Sequence, residues 1–114
     1  MNRPPDPEAA RMLVLHNAPT SDAYAIGSFV DRLVEDGTFD AKSCQLLEAA
    51  LRVLVDHPAL AAQTDRYVYS IYRLVALQLL CHLNPSDDCS VENLDDDAAV
   101  DLKNRFDFVI GSYF

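Results

Sequence analysis

The sequence predicts an all-α protein, in which about five helices form a single-domain bundle around a central apolar helix at about residues 65–83. Three observations predict this fold class. Apolar residues recur at helical spacing along most of the chain, no long stretch alternates apolar and polar residues, and only three glycines are available for hairpin turns. A length of 114 residues, half of them apolar, is suited to one domain spanning residues 1–114 with a modest core.

The first helix is expected after a loose N-terminal arm at residues 1–5. Asp6, Pro7 and Glu8 form a typical helix start, with a capping side chain, a proline in the first turn and an early acid. Pro19 is expected to end the helix. Ala9, Met12, Leu13 and His16 follow at helical spacing, so they are expected to share one face.

A second helix is predicted to begin at Thr20 or Ser21 and to end before Gly37, because glycine is common just after a helix. Its predicted apolar stripe consists of Ile26, Phe29, Val30, Leu33 and Val34.

The third helix is predicted to be capped by Asp40 and to run to about Asp56. Glu48 and Arg52 lie four residues apart, a spacing that favours an ion pair on the solvent side. The buried face is predicted to consist of Leu47, Ala50, Leu51 and Leu54.

The central helix is predicted at residues 65–83, with Thr64 as its cap and a separate short helical turn at residues 58–62. Its apolar side chains cover nearly the whole circumference, which is typical of a helix that the others pack around. Its narrow polar strip consists of Arg66, Ser70 and Arg73. The ring of Tyr69 lies beside this strip and could stack on either guanidinium.

The last helix is predicted to follow an acidic loop at residues 85–94 and to be capped by Asp95. Two pairs at helical spacing, Asp101 with Arg105 and Lys103 with Asp107, support it. Its apolar stripe is predicted to consist of Ala99, Leu102, Phe106, Val109, Ile110 and Tyr113.

The distribution of charge is the most unusual feature of the sequence. The formal net charge is −9, and seven of the 18 acids lie between Asn84 and Leu102, where there is no lysine or arginine. These seven are Asp87, Asp88, Glu92, Asp95, Asp96, Asp97 and Asp101. One or two acids would suffice to cap a helix, and the excess costs stability through repulsion. We therefore predict a docking surface for a basic protein here, although a merely solubilising surface is the alternative.

A second candidate docking surface is the turn between the second and third helices. It contains Glu35, Asp36 and Asp40.

The remaining chemistry-bearing residues do not predict an enzyme, a metal site or a cofactor site. Three histidines (His16, His57, His82) and three cysteines (Cys44, Cys81, Cys89) lack the spacing of zinc sites. Calcium and phosphate loops usually need glycine, and there is none between Gly37 and Gly111. Cys44 and Cys81 are interpreted as small buried apolar residues, and Cys89 lies among acids that disfavour a reactive thiolate.

The charge also limits the partners. A strongly acidic chain does not suit direct binding to nucleic acid or to an anionic membrane. The odd cysteine count, the lack of an apolar leader in the first ten residues and the polar residues inside the most apolar stretch favour a reducing cytoplasm. Whether the protein is a monomer or a homodimer is left open.

These features predict a non-enzymatic inhibitor that binds a protein partner. Toxins that act on nucleic acid have basic clefts, and an acidic inhibitor complements such a cleft. The general profile is similar to that of immunity and antitoxin-type proteins, which neutralise a cognate bacterial toxin. Two alternatives are a regulatory adaptor or secretion chaperone with an apolar groove lined by Phe108, Tyr113 and Phe114, and a decoy that mimics nucleic acid.

Overall fold

A computed structural model describes residues 5–84 and 90–113 and confirms the predicted small all-α bundle. The helices within these residues are α1 (Pro7–Asn17), α2 (Phe29–Val34), α3 (Ala41–Val55), α4 (Pro58–Leu83) and α5 (Asp96–Gly111). The predicted arm at residues 1–5 lies almost entirely outside the described residues, as does half of the predicted loop at residues 85–94.

Four helices begin with a side chain that accepts a hydrogen bond from the backbone amide three residues later. Asp6, Asp40 and Asp95 are the caps that the sequence predicts for α1, α3 and α5, and Ser28 caps α2. Such caps can be predicted from the local sequence because the accepting side chain and the free amide belong to the same turn.

The central helix α4 begins at Pro58, so the prediction of a separate turn at residues 58–62 and a cap at Thr64 is wrong. Thr64 lies buried inside the helix, and its hydroxyl donates to the carbonyls of Leu60 (3.0 Å) and Ala61 (3.2 Å). Threonine can satisfy its hydroxyl in this way without ending a helix. Proline is favoured in a first turn, and α4 extends over 26 residues.

Helix α2 is shorter than predicted and begins only after Gly27. This glycine has a φ of +87°, a left-handed conformation that interrupts a helix. Asp31 accepts a hydrogen bond from the Gly27 amide at 2.8 Å and stabilises the turn. Ile26, predicted to be in the apolar stripe of α2, therefore lies in the turn and is 96% exposed.

The buried face of α1 is rotated from the predicted one. Ala10, Val14 and Asn17 are buried, whereas the predicted face (Ala9, Met12, Leu13 and His16) is exposed or half-buried. The reason is tertiary: Asn17 Oδ1 accepts a hydrogen bond from the amide of Val30 at 3.0 Å, which turns this polar residue toward α2.

Helix α4 packs against each of the other four helices, and α1 packs most extensively against α3, so the core lies between α4 and this pair as well as inside it. The buried faces predicted for α3 and α5 are confirmed, except that Tyr113 is only half-buried. Phe29 of α2 stacks on Phe106 of α5 (centroids 6.4 Å apart) and meets Phe39 edge-on at 6.0 Å. In the part of the chain that the structure describes, no helix is both long and apolar enough to cross a membrane.

Candidate acidic docking site

Two segments that are far apart in the sequence lie side by side at one end of the bundle. Thr38, between α2 and α3, pairs with Glu92, before α5, in an isolated parallel bridge. The amide of Phe39 donates to the carbonyl of Glu92 at 2.9 Å, and the amide of Glu92 donates to the carbonyl of Gly37 at 2.8 Å. The bridge therefore brings together the two acidic segments that the sequence predicts as separate docking surfaces.

The segment before α5 is anchored to the core on its apolar side. Val91 and Leu94 are buried, whereas Glu92 and Asn93 between them are exposed. Asn93 has a φ of +65°, in the left-handed region that asparagine tolerates better than most residues. This turn directs the two apolar side chains inward and leaves the acidic one in solvent.

His82, near the end of α4, holds the same segment in place. Its ring is 8% exposed, and its Nδ1 accepts a hydrogen bond from the amide of Val91 at 2.8 Å. Because an amide only donates, Nδ1 carries no proton in this arrangement. The other ring nitrogen, Nε2, lies 3.5 Å from Oδ1 of Asp96. His82 thus links the central helix to the acidic segment and to the start of α5.

Six of the predicted acids are exposed around the bridge and the start of α5. We call this set the acidic face: Glu35, Asp36, Glu92, Asp95, Asp96 and Asp97. Within residues 5–84 and 90–113, none of these six carboxylates forms an ion pair with a lysine or arginine, and Asp96 only approaches Nε2 of His82, at 3.5 Å. Asp95 also accepts a hydrogen bond from the amide of Ala98 at 2.7 Å, so it serves as the cap of α5.

Two predicted acids are compensated by arginine. Asp40 lies 3.4 Å from the guanidinium of Arg32. Hydrogen bonds from Ser43, mainly from its hydroxyl, lower the pKa of the Asp40 carboxyl. Asp101 contacts Arg105 at 3.2 Å, as the helical spacing predicts. These two carboxylates therefore contribute less to the negative potential than the acidic face does.

Arg105 also contacts Glu48 at 3.2 Å, which corrects the predicted pairing of Glu48 with Arg52. The packing of α5 on α3 provides Glu48 with this partner from another helix. Asp87 and Asp88, also predicted to bind the partner, lie outside the described residues.

The cysteines differ from one another. Cys44 is buried and free, and its thiol donates to Oε1 of Glu48 at 3.4 Å. Burial raises the pKa of this thiol well above its ordinary value, and the charge of Glu48 adds to the effect. Cys81, in contrast, is disulfide-bonded, which corrects its interpretation as a small apolar residue. Cys89 lies outside the described residues.

The described residues do not bring together three or more His, Cys, Asp or Glu side chains in a group that could hold a metal ion. The acidic face is thus a surface of separate carboxylates, and its chemistry is electrostatic attraction and hydrogen-bond acceptance.

Of the three residues predicted to line an apolar groove in the alternative function, the structure describes Phe108 and Tyr113. Phe108 is 71% exposed and lines a cavity of about 210 Å³ with Arg52 and Val55. Tyr113 is half-buried, and burial raises its pKa to about 12. Phe114 lies outside the described residues. Phe108 is therefore exposed, whereas Tyr113 packs against the core.

The acids of the candidate site are predicted from the sequence, but the proximity of the two acidic segments in the fold is not. The hydrogen bonds at Glu92 and the anchor at His82 join residues far apart in the chain, and such contacts leave no periodic pattern. One feature of the sequence does indicate that this segment is anchored. Val91 and Leu94 are apolar residues inside an acidic stretch, as expected for a segment that packs against a core.

Comparison of the chain with protein-family models, with curated proteins and with solved structures finds no match.

Proposed function

We propose that the chain is a non-enzymatic inhibitor of the immunity or antitoxin type, which neutralises a basic, nuclease-like bacterial toxin through the acidic face. The observation that carries the proposal is the pairing of Thr38 with Glu92, which makes one surface out of two acidic segments. A nuclease needs a basic cleft to bind phosphates, and a negative surface fits that cleft, accelerates association and blocks substrate.

The anchoring of the acidic segment supports this proposal. Val91 and Leu94 are buried, and His82 holds the backbone between α4 and the bridge. A surface that is ordered before binding loses less conformational entropy when a partner docks. Repulsion among the exposed acids costs stability in the free protein, and a basic partner would relieve it.

The first test uses the protein encoded by the reading frame next to this one. If that frame encodes a toxin domain, we expect the two proteins to bind, with an affinity that falls steeply as salt rises. We also expect co-expression to protect cells from the toxin. A neighbouring toxin domain that does not bind this chain would contradict the proposal.

The second test removes charge from the acidic face without touching its structural contacts. The variant carries Glu35→Gln, Asp36→Asn, Glu92→Gln and Asp97→Asn, and keeps the cap Asp95 and the His82 contact at Asp96. We expect affinity for the toxin domain to fall by roughly 100-fold or more at low salt, with a shallower salt dependence.

A matched control removes four charges elsewhere, through Glu8→Gln, Asp22→Asn, Asp56→Asn and Asp65→Asn. All four side chains are exposed. Affinity within about threefold of the parent protein would show that position, and not total charge, matters. Equal losses in both variants, or no loss in either, would overturn the acidic-face proposal.

Phe108 favours the adaptor or secretion chaperone as a second candidate. Its ring is exposed beside a shallow groove, in the position of an anchor for an apolar segment. The variant Phe108→Ser separates the two functions, since it leaves every acid in place. Unchanged binding and unchanged salt dependence support the inhibitor, whereas loss of binding supports the adaptor.

A further inference from the structure

A second candidate site lies on the middle of α4, away from the acidic face. A cavity of about 560 Å³ opens between this part of α4 and the segment that joins α1 to α2, with Pro19 and Thr20 on one wall. Its volume lies within the range of about 300–1,000 Å³ that is typical of small-molecule pockets.

Two arginines line the cavity. Arg66 and Arg73 are seven residues apart on one face of α4, which separates them by about 10 Å along the helix axis. Both side chains are exposed, and neither forms an ion pair with a carboxylate among residues 5–84 and 90–113. Asp22 and Asp65, the acids nearest in sequence, do not line the cavity. The cavity therefore presents two guanidinium groups without an ion-pair partner among the described residues of a strongly negative protein.

Two tyrosines lie beside these arginines: the ring of Tyr67 is covered by a guanidinium, and the ring of Tyr69 is exposed. The guanidinium of Arg66 covers the ring of Tyr67 at 4.9 Å and donates to its hydroxyl at 3.0 Å. The guanidinium of Arg66 thus stacks on Tyr67 and not on Tyr69, the other ring that the sequence suggested for it. The ring of Tyr69 is 58% exposed and lies one helical turn from each arginine. Its face is available for stacking on a planar group.

Hydroxyl groups lie between the arginines. Oγ1 of Thr20 and Oγ of Ser70 are 3.5 Å apart, and Ser70 donates to the carbonyl of Tyr67 at 2.9 Å. Because the proton of Ser70 is donated to this carbonyl, Thr20 is the donor in its contact with Ser70, and its hydroxyl oxygen remains as an acceptor facing the cavity. Leu74 and Pro19 provide apolar contact beside these groups. The cavity combines two cations and an aromatic face, which is the composition that recognises an anion attached to a ring.

We infer that this cavity binds a small organic anion that carries a planar ring, with the ring on Tyr69 and the anionic group on Arg73 or Arg66. Phosphate esters and carboxylates share this chemistry, and the cavity's arginines can hold either by paired hydrogen bonds. Ser70 and His82 are twelve residues apart, so the cavity lies about 18 Å along α4 from the anchor of the acidic face. The inference does not depend on the proposed inhibitor function.

The test is calorimetric titration of the full chain with four probes. Adenosine 5′-monophosphate carries a ring and a phosphate, and benzoate carries a ring and a carboxylate. Adenosine tests the ring alone, and inorganic phosphate tests the anion alone. We expect saturable binding of at least one ring-bearing anion, about tenfold or more tighter than either fragment probe. Binding of adenosine 5′-monophosphate alone would show that the cavity prefers a phosphate. Binding of benzoate alone would show that it prefers a carboxylate.

Variants locate the site. Arg73→Gln and Tyr69→Ala are each expected to weaken binding by roughly tenfold or more. Arg52→Gln, which removes an exposed arginine from α3, is the matched control and is expected to leave affinity unchanged. Backbone amide shifts in nuclear magnetic resonance should change around residues 66–74 and 19–20, and not around the acidic face.

Several outcomes would overturn the inference. They are the absence of saturable binding to either ring-bearing anion, inorganic phosphate binding as tightly as the nucleotide, and Arg73→Gln binding like the parent protein. Equal losses in Arg73→Gln and Arg52→Gln would show that the ligand responds to total charge and not to this cavity.

Discussion

The amide of Val91 donates a 2.8 Å hydrogen bond to Nδ1 of His82, and this bond attaches the acidic segment to the central helix. His82 is nearly buried, so water does not readily replace it as the acceptor. One side chain of α4 thus helps to position the bridge at Glu92 and the start of α5.

Replacing His82 with phenylalanine tests this attachment. The variant keeps a ring but leaves the Val91 amide without its acceptor, and an unsatisfied buried donor costs about 1–3 kcal/mol. We expect a corresponding fall in the free energy of unfolding, measured with urea, and faster hydrogen exchange at the Val91 amide. His57→Phe is the control, because His57 is exposed. Unchanged exchange at Val91 in His82→Phe would show that the bond does not hold the segment.

The buried amide of Asn17 makes a second testable link. It donates to the carbonyl of Leu13 at 2.9 Å and accepts from the amide of Val30 at 3.0 Å. Asn17→Leu removes both bonds and is expected to lower the free energy of unfolding by about 1–3 kcal/mol. Asn104→Leu changes an exposed asparagine in the same way and should alter stability by less than about 0.5 kcal/mol. Similar losses in both variants would mean that Asn17 does not stabilise α2 specifically.

Tyr72 and Asp107 join α4 to α5 and predict a dependence on pH. The Tyr72 hydroxyl donates to Oδ1 of Asp107 at 2.6 Å, and Lys103 donates to Oδ2 at 2.9 Å. The bond from Tyr72, followed by that from Lys103, lowers the pKa of Asp107 below its ordinary value. A lowered pKa in the folded state stabilises the fold above the ordinary pKa of an aspartate. This contribution is lost as the pH falls through the lowered value.

Tyr72→Phe should therefore raise the pKa of Asp107 toward its ordinary value, as followed by carboxyl nuclear magnetic resonance. The difference in unfolding free energy between the parent and the variant should shrink as the pH falls through the lowered pKa. Tyr69→Phe, which alters an exposed tyrosine, is the control. An unchanged Asp107 pKa in Tyr72→Phe would contradict the assigned hydrogen bond.

Cys44 is expected to resist alkylation in the folded protein. Burial raises the pKa of its thiol, so the reactive thiolate is scarce at neutral pH, and the side chain is also inaccessible. Iodoacetamide at pH 8 should leave the peptide that contains Cys44 unlabelled, as read by mass spectrometry. Adding denaturant should restore labelling. Rapid labelling without denaturant would show that this part of α3 opens readily.

The features predicted correctly are those set by interactions between residues within one turn of a helix. The caps at Asp6, Asp40 and Asp95 follow from a side chain and an amide three residues apart. The pair of Asp101 and Arg105 follows from helical spacing. Two of the wrong predictions depend on a partner from elsewhere: Asn17 rotates α1 toward Val30, and Arg105 provides Glu48 with a partner other than Arg52. The wrong starts of α2 and α4 have local causes, at Gly27 and at Pro58.

The sequence by itself determined the helical class, the caps of α1, α3 and α5, the buried faces of α3 and α5 and the excess of acids near the last helix, because periodicity and local charge are encoded in neighbouring residues. Only the tertiary structure decided that the two acidic segments meet at Thr38 and Glu92, and that two arginines share a cavity with the α1–α2 connection. These relationships come from chain packing, which brings together residues separated by about fifty positions. No local propensity records such a contact.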